Sequence, residues 1–183
     1  MRKHFLVWLL GLIFALNGSK LIATPVPLKD FNSQTTHLSW DAPGKLGTVL
    51  IFMSAVCPCS QSHEPKIASL IRRYPEFQFV GVHSNLEEEP AFVKAHFEKA
   101  AIPFLTLAYD RDHALANQFG ALKTPHVFLV DRTGKTVYRG GVDNSHTAEK
   151  ATREYLENAL SDLKNGRPVA LSETKPLGCV ISR

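Results

Sequence analysis

The stretch LIFMSAVCPCSQSHEP, from Leu50 to Pro65, joins an apolar run to two cysteines one residue apart and then to a polar segment. The apolar run begins at Gly47, and its β-branched and aromatic residues suit a central strand covered on both faces. Pro58 fits the first position of a following helix, where its missing N–H costs nothing and its fixed φ is already helical. Cys57 then becomes the N-cap. A sulfur there can accept from the free N–H groups of Cys59 and Ser60 and lies at the positive end of the helix dipole; both effects favour the thiolate. Cys59, inside the first turn, has no comparable reason to ionise, although a strained Cys57–Cys59 disulfide is geometrically conceivable. The third cysteine, Cys179, makes the count odd. One thiol must therefore stay free, pair with another chain, react, or bind a metal.

Working outward, the spacing predicts a helix over 58–73, a strand over 77–83, a helix over 89–101, a strand over 104–109 and a helix over 113–120. Two strands, HVFLVD and KTVYRG, follow around the turn RTG, and a helix is expected over 146–164. Strands alternating with helices and ending in a hairpin imply an α/β fold with a central mixed sheet and helices on both faces. Residues 24–45, rich in Pro and polar residues, read as an N-terminal strap or edge strand ending at Pro43-Gly44. The main domain then occupies 46–165, and 166–183 is a C-terminal tail carrying Cys179. The run Glu87-Glu88-Glu89 is expected as helix-start charge. His63 is expected as an exposed surface histidine and His126 as an ordinary strand residue.

The N-terminus places Arg2, Lys3 and His4 before an apolar run from Phe5 to Leu16, a secretory signal pattern taken here as 1–23. The run is shorter than the roughly 20 residues needed to span a membrane. Contact with a membrane is expected only if the leader is retained. The formal charge of +4 includes Arg2 and Lys3, and the remaining basic residues are scattered, which argues against nucleic acid as a partner. Export points to the periplasm or another oxidising compartment, where disulfides persist.

With LIFMSAVCPCSQSHEP and, further on, KTPHVFLVDRTGKTVYRGG, the chain resembles the thioredoxin superfamily, and within it the redoxin branch of peroxiredoxin-like and periplasmic thioredoxin-like proteins. The resemblance covers about 46–165. It implies a thioredoxin-like fold, Cys57 as nucleophile, Pro65 as the helix-kinking proline, and a cis Thr124-Pro125 peptide facing Cys57. Departures are specific. Ser60 stands where thioredoxin has its second cysteine, and Ile51 where it has a buried acidic proton acceptor. Ser54 matches the threonine of the peroxiredoxin motif, whereas Leu50 replaces its proline.

The implied function is an exported thiol–disulfide oxidoreductase acting on protein thiols or disulfides with an unidentified redox partner. The Cys57 thiolate attacks, a mixed disulfide forms, and Cys59 or Cys179 resolves it. Ser54 and Ser60 are expected to hydrogen-bond the sulfur, and Thr124 and Pro125 to present backbone to a bound peptide. No cofactor is required. One alternative is a thiol peroxidase, with a sulfenic acid at Cys57. Another is a copper(I) metallochaperone using Cys57, Cys59, Cys179 and His63. Cys179 could also link two chains in a disulfide-bonded dimer.

Overall fold

The structure, a computed structural model, describes residues 25–183; the expected leader lies outside them. In chain order the elements are β1 (Val26–Lys29), β2 (Thr35–Leu38), β3 (Gly47–Met53), α1 (Pro58–Arg73), β4 (Phe77–His83), α2 (Pro90–Ala100), β5 (Thr106–Tyr109) and α3 (Ala114–Phe119). Then come β6 (Lys123–Thr124), β7 (His126–Asp131), β8 (Thr136–Gly140), α4 (Tyr155–Lys164) and β9 (Cys179–Val180). Among the described residues no helix is long and apolar enough to cross a membrane.

The main sheet has the order β5-β4-β3-β7-β8. β4 runs parallel to both β3 and β5, while β7 is antiparallel to β3 and β8. Every residue of β3 is buried, as its unbroken apolar sequence requires. Alternation divides its side chains between two cores. Val49, Ile51 and Met53 pack with Ile67 of α1, Val93 of α2 and Leu160 of α4. Leu50 and Phe52 face the other way, toward Leu115 of α3, Leu28 and Leu38 of the N-terminal hairpin, and Ile181 of the tail. This is the expected mixed sheet with helices on both faces.

Three local expectations change. The N-terminal strap is a two-stranded antiparallel hairpin, β1 with β2, whose turn is closed by Asp30 accepting from Asn32 N and Gln34 N at 2.8 Å each. The helix expected over 146–164 is a short 3-10 turn at Ala148–Lys150 and a separate α4. Asn144 Oδ1 accepts from the backbone N–H of Thr152 at 2.9 Å and of Arg153 at 3.0 Å, and so holds the intervening chain out of helical conformation. The tail docks on the body twice. Ser172 and Thr174 exchange backbone hydrogen bonds with Arg139 at 2.9 and 3.0 Å, and β9 pairs antiparallel with β6.

Candidate active site

The site forms where β3 ends and α1 begins. Cys57 is the N-cap of α1 in extended conformation, with Pro58 at the first helical position. It is almost wholly buried, at 1% exposure. The Thr124-Pro125 peptide is cis and stands against it: the Cys57 thiol donates to Thr124 O at 3.1 Å.

The partner of Thr124 on its other side is the tail. In the β6–β9 ladder Thr124 lies opposite Cys179 and Lys123 opposite Val180, which brings the Cys179 thiol to the Cys57 sulfur. The approach is tight. Gly178 has φ +150, and a Cβ placed there would meet Thr124 O at 2.0 Å, so only glycine lets the two strands close. Beyond Cys179 the chain is held by Ile181 N to Leu122 O at 3.0 Å and Ser182 N to Asn85 Oδ1 at 3.0 Å, and Ile181 is 4% exposed. The backbone edge at Thr124, expected to receive a substrate peptide, is therefore occupied by the chain's own residues.

The three thiols differ in acidity. The Cys57 sulfur makes no cap hydrogen bond to the start of α1, contrary to the expectation; burial pushes its thiol up, but the nearby Cys179 thiol, the Ser60 and Cys179 backbones and the Thr124 side chain together outweigh it, and the net displacement is downward. Thr124 Oγ1 is buried and has no hydrogen-bond partner among the described residues, so a hydroxyl is left over beside the sulfur. Cys179 moves to about 11, because its thiol donates to Cys57 and because of burial. Cys59 is also raised, by burial and then by the charge on Cys57. Its sulfur lies 3.5 Å from His146 Nδ1. Of the three thiols, Cys57 alone is displaced downward.

The two serines act differently from expectation. Ser54 has one hydroxyl proton, and it goes to Glu88 Oε1 at 2.6 Å; the oxygen then accepts from Cys57 N at 2.9 Å and Val56 N at 3.3 Å. Ser54 therefore has no proton for the sulfur and instead positions the backbone that carries it. Ser60 stands near the sulfur through its backbone without a cap hydrogen bond to it, while its hydroxyl accepts from Ser54 N at 3.2 Å.

Glu88 was hidden in the run of three glutamates. Glu89 does cap α2, accepting from Phe92 N at 2.9 Å, but Glu88 turns inward and is 7% exposed. Besides Ser54 it accepts from Ala55 N at 2.8 Å and lies 3.3 Å from His83 Nε2. Burial pushes its carboxyl up, yet His83, Ser54 and the Ala55 N–H together bring it below the ordinary value, so it is ionised. A buried carboxylate therefore stands behind the cysteine after all, supplied by the segment before α2 and not by position 51.

His63 is not a surface residue. It is buried, with Nδ1 at 2.6 Å from Cys59 O and Nε2 at 3.1 Å from Asp143 Oδ1. Asp143 also receives Lys66 Nζ at 2.6 Å. Both ring nitrogens of His63 are engaged, which removes it from the copper set proposed for Cys57, Cys59 and Cys179. Among the described residues no three His, Cys, Asp or Glu side chains are grouped to hold a metal ion. His126 does begin β7 as expected; it is 5% exposed, and its Nδ1 accepts from Leu122 N at 3.3 Å.

A cavity of about 320 Å³ opens beside the two sulfurs, lined by Ser54, Val56, Cys57, Glu88, Phe92 and Cys179. A buried thiol at a helix N-terminus, faced by a cis-proline loop at the end of a mixed five-stranded sheet, is the arrangement of a thioredoxin-like redox protein. The Redoxin family profile matches residues 17–160, and the chain belongs to that family. Among solved structures it is similar to an uncharacterized conserved protein from Geobacillus kaustophilus, with 29% identity, TM-score 0.77, and 88% of this chain and 89% of that one covered. It also shares its fold with a secreted Mycobacterium tuberculosis disulfide oxidoreductase homologous to E. coli DsbE (17% identity, TM-score 0.52, 61% and 80% covered). M. tuberculosis DsbF is a third (24% identity, TM-score 0.52, 62% and 81% covered). A search among curated proteins finds no match.

Proposed function

We propose that the protein is an exported thiol–disulfide oxidoreductase in which the Cys57 thiolate is the nucleophile and Cys179 of the same chain is its resolving partner. The observation that carries this reading is the β6–β9 register, which sets Cys179 opposite Thr124 while Thr124 O receives the Cys57 thiol at 3.1 Å. Cys57 attacks the oxidised substrate, its sulfur joins the substrate's sulfur, and the Cys179 thiolate then displaces the substrate to leave a Cys57–Cys179 disulfide. The pairing is within one chain, so no disulfide-linked dimer is required. Export rests on the leader pattern at 1–23. Non-reducing peptide mapping of the oxidised protein tests the pairing: a Cys57–Cys179 peptide is expected, and a Cys57–Cys59 loop with free Cys179 would overturn it.

The burial of Cys57 favours one second reading, a thiol peroxidase. A hydroperoxide is small enough to reach the sulfur through the 320 Å³ cavity, whereas a protein disulfide meets the docked tail first. Cys57 would take one oxygen as sulfenic acid, and Cys179 would condense with it, releasing water and giving the same disulfide. Thiol loss that is faster with hydrogen peroxide than with a protein disulfide selects this second reading; the reverse order selects the first.

A further inference from the structure

We infer that electrons enter the oxidised protein through Cys179: the reducing thiol attacks the exposed Cys179 sulfur and Cys57 is the leaving group. This rests on the Cys57–Cys179 pairing proposed above and assigns the two sulfurs opposite duties in the two halves of the cycle.

Access and chemistry agree on the direction. A thiolate must approach the sulfur it attacks, and the two sulfurs are unequally placed. Cys57 is 1% exposed, behind β9 and the Thr124-Pro125 loop, whereas Cys179 is exposed and its neighbour Val180 is 72% exposed. The tail does not fray to uncover Cys57 easily. It is clamped before Cys179 by the Gly178 contact with Thr124 and by Lys123 Nζ on Gly178 O at 3.1 Å, and after it by Ile181, by Ser182 and by Arg183, which donates to Asn117 Oδ1 and Ala121 O at 3.0 Å each.

The leaving group is equally unequal. Cys57 departs with the electron pair at the N-terminus of α1, the positive end of the helix dipole, beside the buried and unpartnered Thr124 hydroxyl and the Ser60 and Cys179 backbones. Cys179 lies in a two-residue strand and not at a helix start; its hydrogen bond to Cys57 and burial hold the thiol up at about 11, against the charge of Lys123, which favours its thiolate. Exchange is faster when the thiol that leaves is the more acidic one.

The attacking thiolate of a dithiol reductant forms a bond to Cys179 Sγ, and the bond between Cys179 and Cys57 breaks with its electron pair on Cys57. The second thiolate of the reductant then attacks the reductant's own sulfur in the mixed disulfide, and Cys179 leaves as a thiolate that takes a proton. The protein gains two electrons and the reductant becomes a disulfide. The exposed Val180, Val56 and Phe92 share the cavity at Cys179 with Glu87, Glu88 and Glu89, a partly apolar and acidic surface that suits a protein dithiol better than an anionic small thiol.

The experiment uses the full chain, oxidised and first mapped to confirm the Cys57–Cys179 disulfide; absence of that disulfide would overturn the functional reading and this inference with it. The probe is a thioredoxin reduced to its single attacking cysteine, which forms the mixed disulfide but cannot release it. 2-Mercaptoethanol with rapid acid quench serves as a small-thiol counterpart. Free thiols are then alkylated and the peptides identified. The adduct is expected on Cys179, with alkylated Cys57, over the reverse arrangement by about tenfold or more, because Cys179 is the accessible sulfur and Cys57 the better leaving group. An adduct on Cys57, an even mixture, or no adduct with either probe would overturn the assignment while leaving the mapped pairing intact.

Discussion

The start of α1 and the docked tail contribute to one site by opposite means. At the helix start the arrangement is local: Pro58 fixes the turn and Cys57 occupies the N-cap position. The tail contributes through strand pairing, a long reach along the sequence ending in a two-residue ladder that only Gly178 allows to close. Cys59, two residues from Cys57, has a raised pKa and leans toward His146, while the distant Cys179 donates to the Cys57 sulfur. Nearness in the chain is thus a poor guide to which thiols work together; register decides.

The largest expected effect joins the two regions covalently. A Cys57–Cys179 disulfide closes a ring of about 120 residues, which in the chain-entropy account stabilises the fold by about 5 kcal/mol. Urea unfolding of oxidised against reduced protein measures it, and equal midpoints would break the comparison by showing that the tail is not tied to the helix. Next, acid should loosen the loop that receives the tail. Burial, followed by the charge of Arg139, lowers His126 to about 4, and its Nδ1 is an acceptor for Leu122 N. The unfolded chain therefore binds the extra proton first as pH falls: the stability associated with neutral His126 is complete above about 6.5 and is lost between about 6.5 and 4, by about 3 kcal/mol. His126→Asn should flatten that limb of the stability curve, and an unchanged limb would place the acid sensitivity elsewhere.

Gly178→Ala tests the tail alone. The added methyl meets Thr124 O, so undocking should expose Ile181 and cost about 2 kcal/mol. Alkylation of Cys57 should accelerate in the variant; unaltered protection would mean that the tail is not what covers it. The smallest effect belongs to the helix start. Glu88→Gln exchanges an acceptor for a donor facing either Ser54 or Ala55 N–H, and should lower stability by about 1.5 kcal/mol. Its signature is a shifted pH dependence of Cys57 alkylation, since Ser54 would regain a proton to offer. A stability loss with an unmoved pH profile would confine Glu88 to a structural role.

Much of this was legible in the sequence because it is written in short-range terms. Hydrophobic runs of strand length, Pro58 after Cys57 and the turn RTG announce β3, α1 and the β7–β8 hairpin directly. The cis Thr124-Pro125 peptide came only through the resemblance, since no local signal distinguishes it. Glu88 could not be separated from Glu87 and Glu89 by composition, because which of three adjacent carboxylates turns inward depends on the path of the segment before α2. His63 was misread for a similar reason: its burial comes from Asp143 and Lys66, and Asp143 lies far along the chain. The tail offered one clue, Gly178 beside Cys179 with Val180 and Ile181 following, but the edge it would join, β6, is two residues long and has no pattern of its own.

The division of β3 between two cores has a dynamic consequence. Ile181 belongs to the core shared with α3 and the N-terminal hairpin, while α1, which carries Cys57, rests mainly on the other. The tail can therefore detach without melting the helix that carries Cys57, as a sub-global opening with its own free energy. If that opening costs about 3 kcal/mol, roughly one molecule in 150 is open at any moment. That fraction scales down the rate at which any bulky partner can reach Cys57. Amide hydrogen exchange would show it as a distinct, faster class at Ile181 and Ser182, set apart from the slow amides of β3.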